Sequence, residues 1–116
     1  MKSLIFAAML MASAPGLKEQ LTGRWETKPS INGNITGVVF KPDNTYEAYI
    51  NKKPFVSGRY TLQDSLISII ETACDKTGIY RLNFFSGSDS LRFVPVMDSC
   101  DQRREGMKKL VFGRVK

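Results

Sequence analysis

The chain has 116 residues, which leaves room for one domain with one hydrophobic core. A hydrophobic content of 42% and a charged content of 24% are those of a globular protein and exclude an extensively disordered chain. Its 17 lysine and arginine residues against 11 acidic residues give a formal net charge of +6. Such a balance suits a nucleic acid, an anionic membrane surface or an acidic ligand as partner.

The first residues have the pattern of a secretory signal peptide. Lys2 precedes an apolar run from Leu4 to Met11, and the small residues Ala12-Ser13-Ala14 follow as a cleavage motif. The run is too short to span a bilayer. We therefore predict a signal peptide over residues 1–14, a mature domain over residues 15–116 and a secreted or periplasmic location. The alternative to a signal peptide is an N-terminal helix that remains part of the domain. Export makes nucleic acid the least favoured of the three partner classes.

The eight strands predicted from the sequence are short runs rich in aromatic and β-branched residues, separated by turn residues. In chain order they cover residues 21–27, 37–41, 45–50, 55–62, 65–72, 78–85, 90–96 and 109–115. After the leader, the one helical pattern is a turn near residues 101–107. A meander of this kind predicts an all-β, antiparallel up-and-down barrel, because closure removes the exposed edges.

Alternation along the strands predicts which side chains face the barrel interior. Tyr80, Leu82 and Phe84 share one face of their strand, whereas Arg81 and Asn83 share the other. The same alternation turns further large side chains inward, namely Trp25, Val38, Phe40, Tyr46, Tyr60, Leu91, Phe93, Leu110 and Phe112. So many aromatic side chains on short strands favour a filled interior, or a pocket confined to one end of the barrel.

The connections divide into two groups because successive turns of a meander alternate between the two ends of the barrel. Tight turns at residues 42–44, 63–64 and 86–89 indicate a closed floor. Longer segments at residues 28–36, 51–54, 73–77 and 97–108 indicate a mouth at the other end.

Cys74 and Cys100 both fall in the mouth segments, where they can meet without distortion of the backbone. An even cysteine count in an exported chain predicts one disulfide, with two buried free thiols as the alternative. The cysteines lack a C-x-x-C spacing and the chain has no histidine, so we expect no metal site.

Gly23 and Trp25 on the first strand, with Arg114 at the close of the last, resemble the lipocalin signature. The stretch from Asp98 to Arg103 also fits a D-x-C-x-x-R pattern that small secreted bacterial domains of this lipocalin-like, calycin type often carry. Segments 40–46, 58–62 and 74–80 are similar to such domains as well. The resemblance implies a structural role for Gly23, Trp25 and Arg114, with the arginine packed over the indole at the closed end.

Basic residues collect in the mouth segments, at Lys28, Lys52, Lys53, Lys76, Arg103, Arg104, Lys108 and Lys109. A positive ring at the opening of an apolar barrel suits an anionic amphiphile. We therefore predict ligand contacts from Lys52, Lys53, Arg103, Arg104, Tyr46 and Tyr80. The alternative is a solvated loop surface, in which Asp98 pairs locally with Arg103 rather than acting on a ligand.

Enzyme chemistry is not expected from this sequence. Without histidine the chain has no Ser-His or Cys-His nucleophile pair, and no phosphate-binding glycine loop is present. The spacing of Glu47, Glu71 and the mouth aspartates does not favour a catalytic carboxylate pair. We thus expect no catalytic residues and no cofactor.

The leading functional hypothesis is a secreted or periplasmic module that binds a small apolar or anionic amphipathic ligand at the barrel mouth. The first alternative is a protein-interaction module or enzyme inhibitor that presents its basic mouth to an acidic protein. A weaker alternative is an oligonucleotide-binding barrel, which would need its aromatic side chains to face outward.

Overall fold

A computed structural model describes residues 16–116, so the predicted signal peptide at residues 1–14 lies outside the described residues. The described chain forms a closed barrel of eight antiparallel strands in meander order, as predicted. Two helices accompany the strands, and no helix in this part of the chain is long and apolar enough to cross a membrane. The elements are α1 (Leu17–Leu21), β1 (Gly23–Thr27), β2 (Thr36–Phe40), β3 (Thr45–Ile50), β4 (Lys53–Gln63), β5 (Leu66–Glu71), β6 (Cys74–Phe85), β7 (Ser90–Asp98), α2 (Asp101–Lys109) and β8 (Phe112–Arg114).

The first strand begins two residues later than predicted because α1 occupies the chain up to Leu21. The Glu19 side chain accepts the backbone N–H of Gly16 at 2.9 Å, which satisfies one of the donors at the start of this short helix. Gly23 then takes a φ of 127°, a conformation that favours glycine, and the chain turns into β1. Leu21 is fully buried, so α1 covers the floor of the barrel.

Two of the four connections at the mouth are two-residue turns rather than the predicted longer loops. Asn51 and Lys52 join β3 to β4 with φ values of 52° and 68°, as in the hairpin turns that match strand twist. Thr72 and Ala73 join β5 to β6. The residues assigned to loops instead extend β4 to 11 residues and β6 to 12 residues. At about 3.3 Å per residue, β6 runs for about 40 Å and raises the wall at the mouth.

The last strand is shorter than the predicted 109–115, since β8 holds only Phe112–Arg114. It pairs with β7 through Ser90 and Leu91 alone, and α2 packs against β7. Leu110, predicted to face inward from a strand, follows α2 and packs against the core from there. The predicted helical turn near residues 101–107 is the beginning of α2.

The floor of the barrel is organised around Trp25, which is fully buried. Its indole N–H donates to the backbone oxygen of Leu21 at 2.9 Å, so the polar end of the ring is satisfied. The guanidinium carbon of Arg114 lies 4.3 Å from the ring centroid, and the same side chain donates to the backbone oxygens of Gln20 at 2.6 Å and Ser88 at 3.2 Å. Arg114 thereby joins α1, β8 and the β6–β7 turn over one aromatic ring.

Aromatic side chains fill the barrel above Trp25. The rings of Phe40 and Tyr60 meet edge-on at 5.4 Å, and those of Phe93 and Phe112 at 5.7 Å. The Tyr60 hydroxyl donates to the backbone oxygen of Lys41 at 2.7 Å, so this ring is both buried and satisfied. The lower half of the barrel is therefore a packed core.

Replacing Trp25 by alanine should destabilise the protein by about 3–5 kcal/mol, because a large buried ring and the partner of Arg114 are removed together. Urea unfolding followed by far-ultraviolet circular dichroism measures this loss. Ile31→Ala is the control, since Ile31 is fully exposed and its removal should change stability by less than about 0.5 kcal/mol. A loss below about 1 kcal/mol for Trp25→Ala would contradict the role given to the ring.

Candidate functional site

A cavity of about 530 Å³ occupies the mouth half of the barrel. Phe40, Phe93 and Phe112 form its bottom, so it begins where the packed core ends. Its walls come from β2 to β5 and from α2, and most of the lining is apolar, as at Val38, Val56, Ile69, Met107 and Leu110. The interior is thus filled at the floor and open at the mouth. This is the second of the two arrangements that the inward aromatic side chains favoured, a pocket confined to one end of the barrel.

The wall beside β7 is a helix rather than a strand. β8 is too short to pair with β7 beyond Leu91, and α2 lies against that part of β7 and contributes Met107 to the cavity. The disulfide between Cys74 and Cys100 fastens the beginning of α2 to the beginning of β6, with the two Cα atoms 6.6 Å apart. This bridge, predicted from the sequence, should contribute about 3–4 kcal/mol on the chain-entropy estimate.

A buried ion pair holds the start of α2 in place. Arg103 Nε donates to Asp98 Oδ2 at 2.7 Å, and Arg103 Nη2 donates both to Asp98 Oδ1 at 2.8 Å and to the backbone oxygen of Lys76 at 2.7 Å. The Asp98 carboxylate also accepts the Tyr80 hydroxyl and, at 2.9 Å, the backbone N–H of Cys100. Both charged side chains are at least nine-tenths buried, and the local pairing expected for Asp98 and Arg103 is present, with both carboxylate oxygens of Asp98 hydrogen-bonded.

Asp98 faces inward because β7 contains a bulge. Ile79 pairs with Met97 and the next residue of β6, Tyr80, pairs with Pro95, so Val96 is an extra residue on β7. One extra residue reverses the inward and outward alternation beyond it. Without the bulge Met97 would point inward and Asp98 outward.

Gly78 makes room for the ion pair. It lies directly opposite Asp98 in the β6–β7 ladder. A Cβ at this position would lie 2.8 Å from Asp98 Cγ and 2.9 Å from Arg103 Nη2, closer than side chains tolerate. The absence of a side chain at Gly78 is therefore a condition for the contact between Asp98 and Arg103.

The pKa values of this cluster reflect burial and hydrogen bonding. Burial alone would raise the pKa of Asp98, but hydrogen bonds from Arg103, Tyr80 and the Cys100 backbone outweigh it and hold the pKa below the ordinary 3.8. The hydrogen bond to Asp98 raises the pKa of Arg103. Burial, then the hydrogen bond to Asp98, raises the pKa of the Tyr80 hydroxyl. Near neutral pH the pair is therefore ionised and Tyr80 is a neutral donor.

Glu71 is the second carboxylate of the cavity wall. The Tyr46 hydroxyl donates to Glu71 Oε2 at 3.2 Å, and Arg103 Nη1 lies 3.9 Å from Glu71 Oε1, beyond hydrogen-bond distance. Burial, then the nearby Glu71 charge, raises the pKa of the Tyr46 hydroxyl. Glu71 was not among the predicted site residues, although its position two residues after the inward-facing Ile69 is a signal for an inward carboxylate.

Of the six predicted ligand contacts, Arg103 and Tyr46 line the cavity and the other four do not. Lys52 and Lys53 are exposed at the β3–β4 turn. Arg104 instead donates to the backbone oxygen of Asp98 and pairs with two carboxylates of its own helix. Tyr80 is fully buried, and its hydroxyl is bonded to Asp98.

Of the eight basic residues predicted for the mouth, carboxylates engage Arg103, Arg104 and Lys108, while Lys28, Lys52, Lys53, Lys76 and Lys109 are exposed. No protein-family model matches this chain, and no curated protein sequence matches it significantly.

Asp98→Asn should lower the stability of the protein at neutral pH by about 3–5 kcal/mol, because it removes one charge of a buried pair. The lowered pKa of Asp98 means that its contribution is fully present above about pH 4 and is lost as the pH falls through that pKa. The difference between the wild type and Asp98→Asn should therefore shrink in acid. Urea unfolding between pH 7 and pH 2 measures it, with Asp64→Asn on an exposed floor turn as control. A difference that stays constant with pH would contradict the assignment.

Gly78→Ala should destabilise the protein, because its methyl group would push Asp98 and Arg103 apart. Gly106→Ala is the matched control: Gly106 lies within α2, where an added Cβ meets no atom within 4 Å, and the change should raise stability by about 0.5–1 kcal/mol. Thermal unfolding of both variants provides the comparison. Equal melting temperatures would show that the space at Gly78 is not required.

Proposed function

We propose that this protein is a lipocalin-like binding protein that holds one small apolar or amphipathic molecule in the mouth half of its barrel. The observation that carries the proposal is the cavity of about 530 Å³, with an apolar lining above a packed floor. Ligand pockets in proteins typically have about 300–1,000 Å³ and are mostly apolar with a few placed polar groups. An eight-stranded barrel is wide enough to hold one small ligand.

The rim of the cavity supports the same function. Phe55 lines the cavity and yet is 64% exposed, so a bound molecule would remove a large aromatic surface from water. Met107 on α2 supplies an unbranched, adaptable side chain to the facing wall. Both features favour an apolar body for the ligand.

The charges at the site favour a ligand whose inner part is uncharged. Arg103 is engaged by Asp98, and Glu71 lies beside it, so one guanidinium faces two carboxylates there. The exposed cations left at the mouth are Lys28, Lys52, Lys53, Lys76 and Lys109. An anionic group on the ligand, as the sequence suggested, would have to remain at this outer rim.

A lipocalin-like relationship and a secreted or periplasmic location belong to the same proposal. The packing of Arg114 over Trp25 at the closed end supports the relationship. The disulfide between Cys74 and Cys100 supports an oxidising compartment, in agreement with the leader pattern in the sequence.

The alternative function is recognition of an acidic protein by the mouth. Phe55 and Met97 are 64% and 63% exposed, and Lys52 and Lys53 lie on the turn that leads into Phe55. Exposed apolar side chains beside cations fit a protein interface. A protein partner would cover this surface without needing the cavity, which separates the two functions experimentally.

The uncharged dye N-phenyl-1-naphthylamine should bind the wild-type protein with increased fluorescence, and Ala48→Phe should abolish that binding. Ala48 lines the cavity, so a phenyl ring there would occupy the space of the ligand. Thr61→Phe adds the same ring to the exposed face of β4 and should bind the dye like the wild type. Absence of dye binding by the wild type would argue against a small-molecule function and favour the protein partner.

A further inference from the structure

Among residues 16–116, Arg103 Nη1 is the one buried side-chain nitrogen or oxygen atom without a hydrogen-bond partner. The other two nitrogens of this guanidinium are bonded to Asp98 and to the Lys76 backbone. Arg103 lines the cavity, and its side chain is 6% exposed. A buried charged donor that lacks an acceptor costs free energy, so an acceptor oxygen that a ligand places beside it recovers that cost.

A second polar atom faces the same place. Glu71 Oε1 lies 3.9 Å from Arg103 Nη1, while the other carboxylate oxygen is occupied by the Tyr46 hydroxyl. One oxygen atom at about 2.9 Å from the nitrogen and about 2.7 Å from the carboxylate oxygen would bridge the two, because these lengths together exceed their separation. Such an oxygen must accept one hydrogen bond and donate another.

The net charge of the cluster of Arg103, Asp98 and Glu71 determines which oxygen-containing group of a ligand it favours. Asp98 and Glu71 place two carboxylates around one guanidinium, so the cluster carries a net negative charge. A carboxylate on the ligand would satisfy Arg103 but would face Glu71 at short range, where like charges repel strongly. An ether or ester oxygen would satisfy Arg103 but has no proton for Glu71.

From the geometry we infer that the cavity recognises an apolar alcohol: the hydroxyl oxygen accepts the N–H of Arg103 Nη1, and the hydroxyl proton is donated to Glu71 Oε1. This inference rests on the proposed function, because it requires that a small molecule enters the cavity. It assigns Arg103 and Glu71 to specificity for a hydroxyl group, with the apolar body of the ligand against Val38, Ile69 and Met107.

Competition against N-phenyl-1-naphthylamine tests the inference with three probes of similar size at neutral pH: 1-undecanol, its isomer decyl methyl ether, and undecanoate. The wild type should bind 1-undecanol about tenfold more tightly than the ether, which leaves Glu71 without a donor. It should also bind 1-undecanol about tenfold more tightly than undecanoate, which Glu71 repels.

Glu71→Gln removes the negative charge and keeps an acceptor oxygen at the same position. It should reduce the preference for 1-undecanol over undecanoate by about fivefold. Glu47→Gln is the matched control, because Glu47 is exposed on the outer face of β3 and pairs with Lys41. It should leave all three affinities unchanged.

The outcomes separate the inference from the function on which it rests. If the wild type binds the dye but holds 1-undecanol and the ether equally, the hydroxyl inference is overturned while the binding function stands. Unchanged relative affinities in a folded Glu71→Gln protein overturn it as well. If neither the dye nor any probe binds the wild type, the binding function itself fails. The wild-type comparison of alcohol and ether decides the matter even if Glu71→Gln does not fold.

Discussion

The contact between Asp98 and Arg103 is the interaction on which the mouth half of the molecule depends. It joins the end of β7 to the first turn of α2, and through the Lys76 backbone it reaches β6. Removing two charges from water is costly, and the cost is met here because both carboxylate oxygens of Asp98 accept further hydrogen bonds, Oδ2 from the Tyr80 hydroxyl on β6 and Oδ1 from the Cys100 backbone at the start of α2. The helix that completes the cavity wall is therefore positioned electrostatically as well as by apolar packing.

The cavity exists because the sheet closes into a barrel whose strands differ in length. β8 completes the barrel only near the floor, where Phe112 pairs with Leu91, and α2 replaces it toward the mouth. A helix packs farther from a sheet than a hydrogen-bonded strand lies from its neighbour. The wider spacing on this side, together with the long strands β4 and β6, leaves space above Phe93 that side chains do not fill.

The sequence predicted the architecture because alternation is a local signal. Tyr80, Leu82 and Trp25 are buried as their alternation indicated, and the two cysteines meet because their connections lie at one end of the meander. Part of the site depends on features that alternation alone does not show. The bulge at Val96 reverses the orientation of Asp98, and its local sign in the sequence is the preceding Pro95, since prolines within sheets are confined to edges, strand starts and bulges. Lys52 adopts a positive φ, uncommon for a lysine, so its turn resembled a loop.

The division of the barrel into a packed floor and an open mouth has a consequence for protein engineering. The contact of Arg114 with Trp25 and the aromatic core lie in one half, whereas Ala48, Val56 and Met107 lie along the cavity in the other. Changes at well-separated positions combine additively in their effect on stability. The walls of the mouth can therefore be redesigned for molecules of different shape while the packing of the floor is kept, which is what a scaffold for biosensors requires.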